Sequence, residues 1–199
     1  MRKVNVGVLA LQGDFREHIK MLEKINVPVI EIRFPQQLGE IDGLIIPGGE
    51  STTINKLMDK YGFKEGLKVF MGSGKPIFGT CAGLILLASG VSGKEPGLGF
   101  IDIKVKRNAY GRQVDSFEEV VSINLDHKPD PKGFKSVFIR APKIVYTGKN
   151  VKILSSLGDD VLLAREKNIL VCSFHPELTD DTRIHEYFIE MINENLEEK

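Results

Sequence analysis

Apolar and polar positions follow one pattern in the first half of the chain and another in the second. In the first half, short apolar runs alternate with stretches of helical period. Apolar runs at residues 4–10, 27–32, 44–46 and 76–78 predict strands. Between them, residues 14–25 are amphipathic, with Ile19, Leu22 and Ile25 on one face, and residues 52–61 and 63–71 also predict helices. A further apolar run, residues 84–88, follows the last of those strands and reads as the start of a helix. The second half strings short strands together at 100–106, 118–124, 136–140, 151–157, 161–165 and 169–174, separated by turn residues. Residues 181–195 close the chain as a helix. Strand–helix alternation is the pattern of an α/β three-layer sandwich, a mostly parallel central sheet flanked by helices on both faces. No internal repeat, linker or low-complexity tract interrupts it, and 199 residues favour one domain, residues 1–199, with a full core.

Composition removes several function classes. Lys+Arg and Asp+Glu both number 27, for a net charge of +0, so no field steers the chain towards nucleic acid or an anionic membrane. No apolar stretch approaches a membrane span, and the early first strand leaves no room for a signal peptide. Two distant cysteines, one of them a candidate nucleophile, point to a reduced cytoplasmic protein without structural disulfides.

Three segments carry chemistry. The first is Gly79-Thr80-Cys81-Ala82-Gly83, between an apolar strand and a helix. This is a nucleophile elbow with cysteine at its tip. Small neighbours permit the tight turn, and the unpaired N–H groups of the helix start stabilise negative charge on the sulfur. The second is Cys172-Ser173-Phe174-His175-Pro176-Glu177. A nucleophilic cysteine needs a base, which His175 supplies, and the base needs an orienting acid. Glu177 lies two residues on, on the same side of an extended segment. The resulting order, Cys, His, Glu, differs from the nucleophile–acid–histidine order of the commoner α/β hydrolases. The third is Pro47-Gly48-Gly49-Glu50-Ser51-Thr52-Thr53, where a strand ends in paired glycines and Ser51 or Thr52 caps the next helix. The N–H groups of Gly49 and Ala82 are assigned to an oxyanion hole, each typically worth about 3 kcal/mol of barrier.

Other reactive residues read more plainly. Cys172 lies within a strand and packs in the core. His18, His127 and His185 lack metal-ligand spacing and are expected in solvated or capping roles. Residues 126–129, Asp-His-Lys-Pro, read as a turn. Gly72-Ser73-Gly74-Lys75 fails as a phosphate loop because Pro76 follows the lysine. Arg107 and Arg140, from spacing alone, are ordinary surface charges.

Together the three segments resemble class I, triad-type glutamine amidotransferases, whose sheet is flavodoxin-like. Finer phrases narrow the resemblance: Val8-Leu9-Ala10-Leu11-Gln12-Gly13, Arg107-Asn108, Gly111-Arg112-Gln113-Val114-Asp115-Ser116-Phe117 and Phe138-Ile139-Arg140-Ala141-Pro142. With Ser173-Phe174-His175-Pro176-Glu177-Leu178, the series resembles the glutaminase subunits of pyridoxal 5′-phosphate synthase over essentially the whole chain. That resemblance implies hydrolysis of L-glutamine to L-glutamate and ammonia by Cys81, His175 and Glu177 through a thioester. Ammonia then passes to a separate barrel-shaped synthase subunit that builds pyridoxal 5′-phosphate from a pentose phosphate and glyceraldehyde 3-phosphate. It implies a glutamine pocket lined by Gly49, Glu50, Ser51, Arg107, Ile139 and Arg140, with no cofactor and no metal. Gln12 is assigned to the ammonia exit route. Activity is expected to be nearly silent without the partner, because the Pro47-Gly48-Gly49 peptide is misaligned in the free subunit.

Three other readings stay open on the residues alone. One is a glutaminase feeding a different synthase, such as one for a purine, histidine or anthranilate. Another is a cysteine peptidase or chaperone-like relative, which would place histidine next to the nucleophile, where this chain has Ala82. The third is a non-catalytic regulatory subunit, which would not need the complete triad.

Overall fold

The computed structural model describes residues 4–92, 97–107, 116–126, 130 and 132–197. Asn108, residues 111–115 and residues 127–129, singled out in the sequence, lie outside the described residues.

The strands that the sequence shows as continuous apolar runs are those buried on both faces. β1 (Val6–Leu9), β3 (Gly43–Ile46), β4 (Ile77–Thr80) and β12 (Ile169–Cys172) contain only buried residues. With β2 (Val29–Ile32) they form a parallel half-sheet in the order β2-β1-β3-β4-β12. The sheet continues through β11 (Asp160–Glu166), β9 (Lys143–Thr147), β6 (Ile101–Lys106) and β5 (Ala88–Val91), while β10 (Lys152–Leu157) pairs with β11. This second half is largely antiparallel, and only β5 and β6 are parallel to each other. β7 (Ser116–Val121) and β8 (Phe134–Ile139) make a separate antiparallel ribbon.

Alternate residues of the parallel strands feed two cores. Leu44 and Ile46 pack with Ile54 and Met58 of α2 (Ser51–Lys60) and Phe63, Leu67 and Phe70 of α3 (Phe63–Gly72). Ile45 faces the other way, into a core with Leu22 of α1 (Phe15–Lys24) and Tyr187, Phe188 and Ile192 of α5 (Arg183–Glu197). Burial of each such side chain contributes roughly 1.5–3 kcal/mol.

Three departures from the predicted elements have local causes. The run after the elbow is a helix for only six residues, α4 (Ala82–Leu87), and the chain turns into β5 from Ala88. β7 ends at Val121, short of the predicted residue 124, because Ile123 N–H donates to Asp130 Oδ2 at 2.8 Å instead of to a neighbouring strand. β9 was not predicted: its five residues carry a single buried side chain, Ile144, too little alternation to register.

The topology decides where a site can form. β1, β3, β4 and β12 run in the same direction, so the segments that follow them gather at one edge of the sheet. Gln12 to Asp14, Pro47 to Glu50, Cys81 and His175 all lie in those segments.

Candidate active site

Cys81 stands between β4 and α4 at φ 46 and ψ −96, a region that L side chains rarely occupy. The strain is held by the surroundings. Cys81 N–H donates to Cys172 O of β12 at 2.9 Å, and a Cβ added to Gly83 would lie 2.1 Å from Ile46 O. Only glycine lets α4 begin so close to β3. The elbow expected from the sequence is therefore formed, and the thiol is 7% exposed.

His175 follows β12, its backbone N–H anchored to Val137 O at 2.8 Å. Its Nδ1 lies 2.7 Å from Glu177 Oε1, with both side chains almost fully buried. The reach is made across a single 3₁₀ turn, Pro176–Leu178, and not along the extended segment the sequence suggested. Pro176 takes the first position of that turn, where its missing N–H costs nothing. Burial by itself would lower the imidazole, but the Cys81 sulfur and the Glu177 carboxylate outweigh it, so His175 is raised. Burial also raises the Glu177 carboxyl, against the pull of His175. His175 Nε2 is buried without a hydrogen-bond partner, and the Cys81 thiol faces Ile139 O at 4.0 Å. The Cys81 sulfur is nonetheless among the groups that raise His175, so thiol and imidazole act on one another. The ring nitrogen is left free for a proton in transit.

Cys81 and His175 line a cavity of about 480 Å³, within the range of small-ligand pockets. Gly49, Glu50, Ser51, Arg107, Ile139 and Arg140 line the same cavity. Ala82 is fully buried at the start of α4, beside Cys81. Arg107 and Arg140, which spacing alone assigned to the surface, belong to this rim.

The rim groups are engaged with one another. Glu50, and not Ser51 or Thr52, caps α2: its carboxylate accepts from Thr52 N at 3.0 Å and Thr53 N at 2.7 Å. A longer acidic side chain reaches the same orphan N–H groups and also meets the helix dipole. The Thr53 side chain, followed by the backbone donors and opposed by slight burial, holds Glu50 down at about 2. Arg107 donates to Glu50 Oε1 at 3.2 Å and to Thr52 Oγ1 at 3.1 Å. Ser51 Oγ is buried and has no partner. Gln12 Oε1 accepts from Glu50 N–H at 2.8 Å, and Gly48 O accepts from Asp14 N–H at 3.1 Å. In a trans peptide the latter bond turns Gly49 N–H away from Asp14.

Two sequence expectations are overturned. His18 and His185, expected in solvated or capping roles, are fully buried behind Glu177. His18 Nδ1 lies 3.0 Å from His185 Nε2, and its Nε2 lies 3.1 Å from Thr80 Oγ1. Cys172, by contrast, is a core residue as expected: fully buried, its thiol donates to Phe174 O at 3.2 Å and burial pushes its pKa up. Among the described residues, Asp14, His175 and Glu177 bring possible metal-ligand atoms within 4.8 Å of one another. The 2.7 Å bond from His175 Nδ1 to Glu177 ties two of them into an imidazole–carboxylate pair instead.

Comparison with known proteins agrees with this geometry. The model of the SNO glutamine amidotransferase family matches residues 8–194. The chain belongs to the SNO glutamine amidotransferase family. Among SNO relatives, the pyridoxal 5′-phosphate synthase subunit PdxT of Thermosipho africanus is 54% identical over 190 residues, 95% of this chain and 99% of that protein. PdxT of Fervidobacterium nodosum is 53% identical, over 95% of this chain and 97% of that protein. A solved glutamine amidotransferase is 45% identical with a TM-score of 0.87, covering 94% of this chain and 98% of the other.

Two side chains that line this SNO site escaped sequence reasoning, Asp14 and Ile85. Asp14 lines the cavity, its Oδ2 3.5 Å from His175 Nδ1. Its place just before α1 reads as a helix start, which conceals the second role. The burial of His18 had a legible signal: it sits three and four residues from Met21 and Leu22, on the apolar face of α1.

Proposed function

We propose that this chain is the glutaminase subunit of a pyridoxal 5′-phosphate synthase, with Cys81 as nucleophile, His175 as base and acid, and Glu177 as the orienting acid. The observation that carries the assignment of roles is a strained elbow cysteine lining one cavity with His175, whose other ring nitrogen is paired to the buried Glu177 carboxylate. The Cys81 sulfur attacks the side-chain amide carbon of L-glutamine. The amide C–N bond breaks, and ammonia leaves with the proton carried by His175 Nε2. Water gives a proton to the same nitrogen and attacks the thioester, which releases L-glutamate and restores the thiol. The N–H groups of Gly49 and Ala82 hold the oxyanion, each worth about 3 kcal/mol. Glu50, Ser51, Arg107, Ile139 and Arg140 hold the free amino acid, and an arginine suits its carboxylate. No cofactor or metal enters these steps.

Ammonia is delivered to a separate synthase subunit in a hetero-oligomeric complex, past Gln12. The complex works in the cytoplasm; among the described residues no helix is long and apolar enough to cross a membrane. Partner docking re-aims the Gly48–Gly49 peptide, now fixed by the bond from Asp14 N–H to Gly48 O, and brings its N–H to the oxyanion. Glutamate release from L-glutamine, with and without a pyridoxal-phosphate synthase subunit, tests the reading. Activity that rises on mixing supports it. Activity indifferent to that subunit would reassign the chain to another synthase, and no activity in either setting would overturn the glutaminase role.

A further inference from the structure

Behind the triad and into it, five buried groups form a polar cluster. His185 Nε2 lies 3.0 Å from His18 Nδ1, and His18 Nε2 lies 3.1 Å from Thr80 Oγ1 and 3.4 Å from Glu177 Oε2. Glu177 Oε1 then meets His175 Nδ1 at 2.7 Å. His18, His185 and the Glu177 side chain are all fully buried, and Phe78 packs edge-on against both outer histidines, with ring centroids 6.1 and 6.0 Å away.

Proton counting fixes the direction of the hydrogen bonds in this cluster. Burial and the neighbouring histidines keep His18 neutral, and burial keeps His185 neutral, so each ring carries one N–H. A single proton fits between His18 Nδ1 and His185 Nε2. If it sat on His18, then His18 Nε2 would be bare and would turn a lone pair towards the second oxygen of the Glu177 carboxylate. His185 Nδ1–H would also be a buried donor without a partner. If it sits on His185, then His185 Nε2–H donates to His18 Nδ1, and His18 Nε2–H points between Thr80 Oγ1 and Glu177 Oε2. Only a bare His185 Nδ1 is then left unpaired. That arrangement also sets an N–H 3.4 Å from Glu177 Oε2, a buried oxygen that has no hydrogen-bond partner, while the closer contact of the same nitrogen is Thr80 Oγ1. An orphaned donor and two facing lone pairs are the costlier combination.

We propose that His18 is a positioning residue for the triad, its Nε2–H holding the second oxygen of the Glu177 carboxylate so that the first stays aligned on His175. No proton moves along the cluster; His185 fixes the tautomer of His18, and His18 fixes Glu177. The inference rests on the proposed glutaminase role of the triad.

The test has two arms. In the ¹⁵N-labelled wild-type protein, two-bond proton–nitrogen correlations assign the histidine tautomers without any turnover. The expected result is Nε2–H for both His18 and His185, and an Nδ1–H tautomer at His18 would overturn the proposal even in an inactive protein. In the kinetic arm, the protein with its synthase partner is compared with His18→Phe and His18→Gln. The Phe variant is expected to lower kcat about tenfold or more, part of what general acid–base catalysis contributes, with KM little changed. It should also displace the low-field proton resonance of His175 Nδ1–H. His18→Gln, which can place an amide N–H near Glu177, is expected to recover most of the loss. A wild-type kcat and an unmoved resonance in His18→Phe would overturn it. Should that variant fail to fold, the wild-type tautomer decides alone. Absence of glutamine hydrolysis in the wild type would count against the glutaminase reading and leave the tautomer result standing.

Discussion

The buried floor of the site and its exposed rim are built in opposite ways. On the floor, Cys81, His175 and Glu177 sit at most 7% exposed, at the ends of strands buried on both faces, and their partners are fixed by backbone anchors. At the rim, Glu50 and Arg107 sit at a helix start and a strand end, and they satisfy one another and the cap of α2. The floor is held ready whether or not substrate is present. The rim must exchange contacts with itself for contacts with a ligand. Chemistry is therefore expected to be sensitive to the floor, and affinity to the rim.

Changes to the floor should have the largest effects. Cys81→Ala is expected to reduce glutamine hydrolysis by at least about 10⁴-fold without loss of fold, as measured by glutamate release and thermal melting. Glu177→Gln keeps the volume but removes the charge that orients and balances His175. It is expected to lower kcat by roughly 10²- to 10⁴-fold with KM little changed. A kcat near wild type would leave the His175–Glu177 pair a structural contact.

Acid separates the two regions through stability. His185 is lowered to about 3 by burial, and His18 is also lowered, so both bind protons more readily in the unfolded chain. Their contribution to stability is then full above about pH 6.5 and falls as pH drops from there towards 3, by at most about 1.4 kcal/mol per pH unit for each histidine. Glu50 at the rim behaves differently. Held at about 2, its contribution is present above pH 4.5 and is lost only as pH falls towards 2. Denaturant midpoints across that range, compared with His185→Phe, should show a flatter slope in the variant between pH 6 and 4. An unchanged slope would mean that the buried histidines are not the acid-sensitive groups.

Smaller effects belong to the rim. Arg107→Ala is expected to raise KM for glutamine by roughly tenfold with kcat largely kept, the loss of one charged hydrogen bond. Glu50→Ala removes the cap of α2 and should cost about 1 kcal/mol, seen as a fall in Tm of roughly 2–4 °C. A fall in kcat without a rise in KM for Arg107→Ala would erase the distinction between floor and rim.

The floor was also the more legible region in the sequence. Elbow spacing, a base–acid pair two residues apart and continuous apolar strands are local signals, and each survived folding. The rim was less legible because its partners come from distant segments. Nothing near Glu50 shows that its carboxylate caps α2, or that Arg107, 57 residues later, will lean on it. His18 and His185 were misjudged for the same reason: each is polar in isolation, and only the packing of α1 against α5 across β4 pairs them, 167 residues apart. The turn at Pro176–Leu178 shows a third kind of error, in which the right residues were paired through the wrong local backbone.

The most direct measurement is covalent labelling by a diazo-ketone analogue of L-glutamine, followed by peptide mapping of both cysteines. Cys81 lines the cavity beside His175, whereas Cys172 is fully buried with its thiol held protonated. The expected result is stoichiometric modification of Cys81, protection by L-glutamine, and none at Cys172. Modification at Cys172, or no modification of Cys81 in the presence of the synthase partner, would contradict the assignment of the nucleophile.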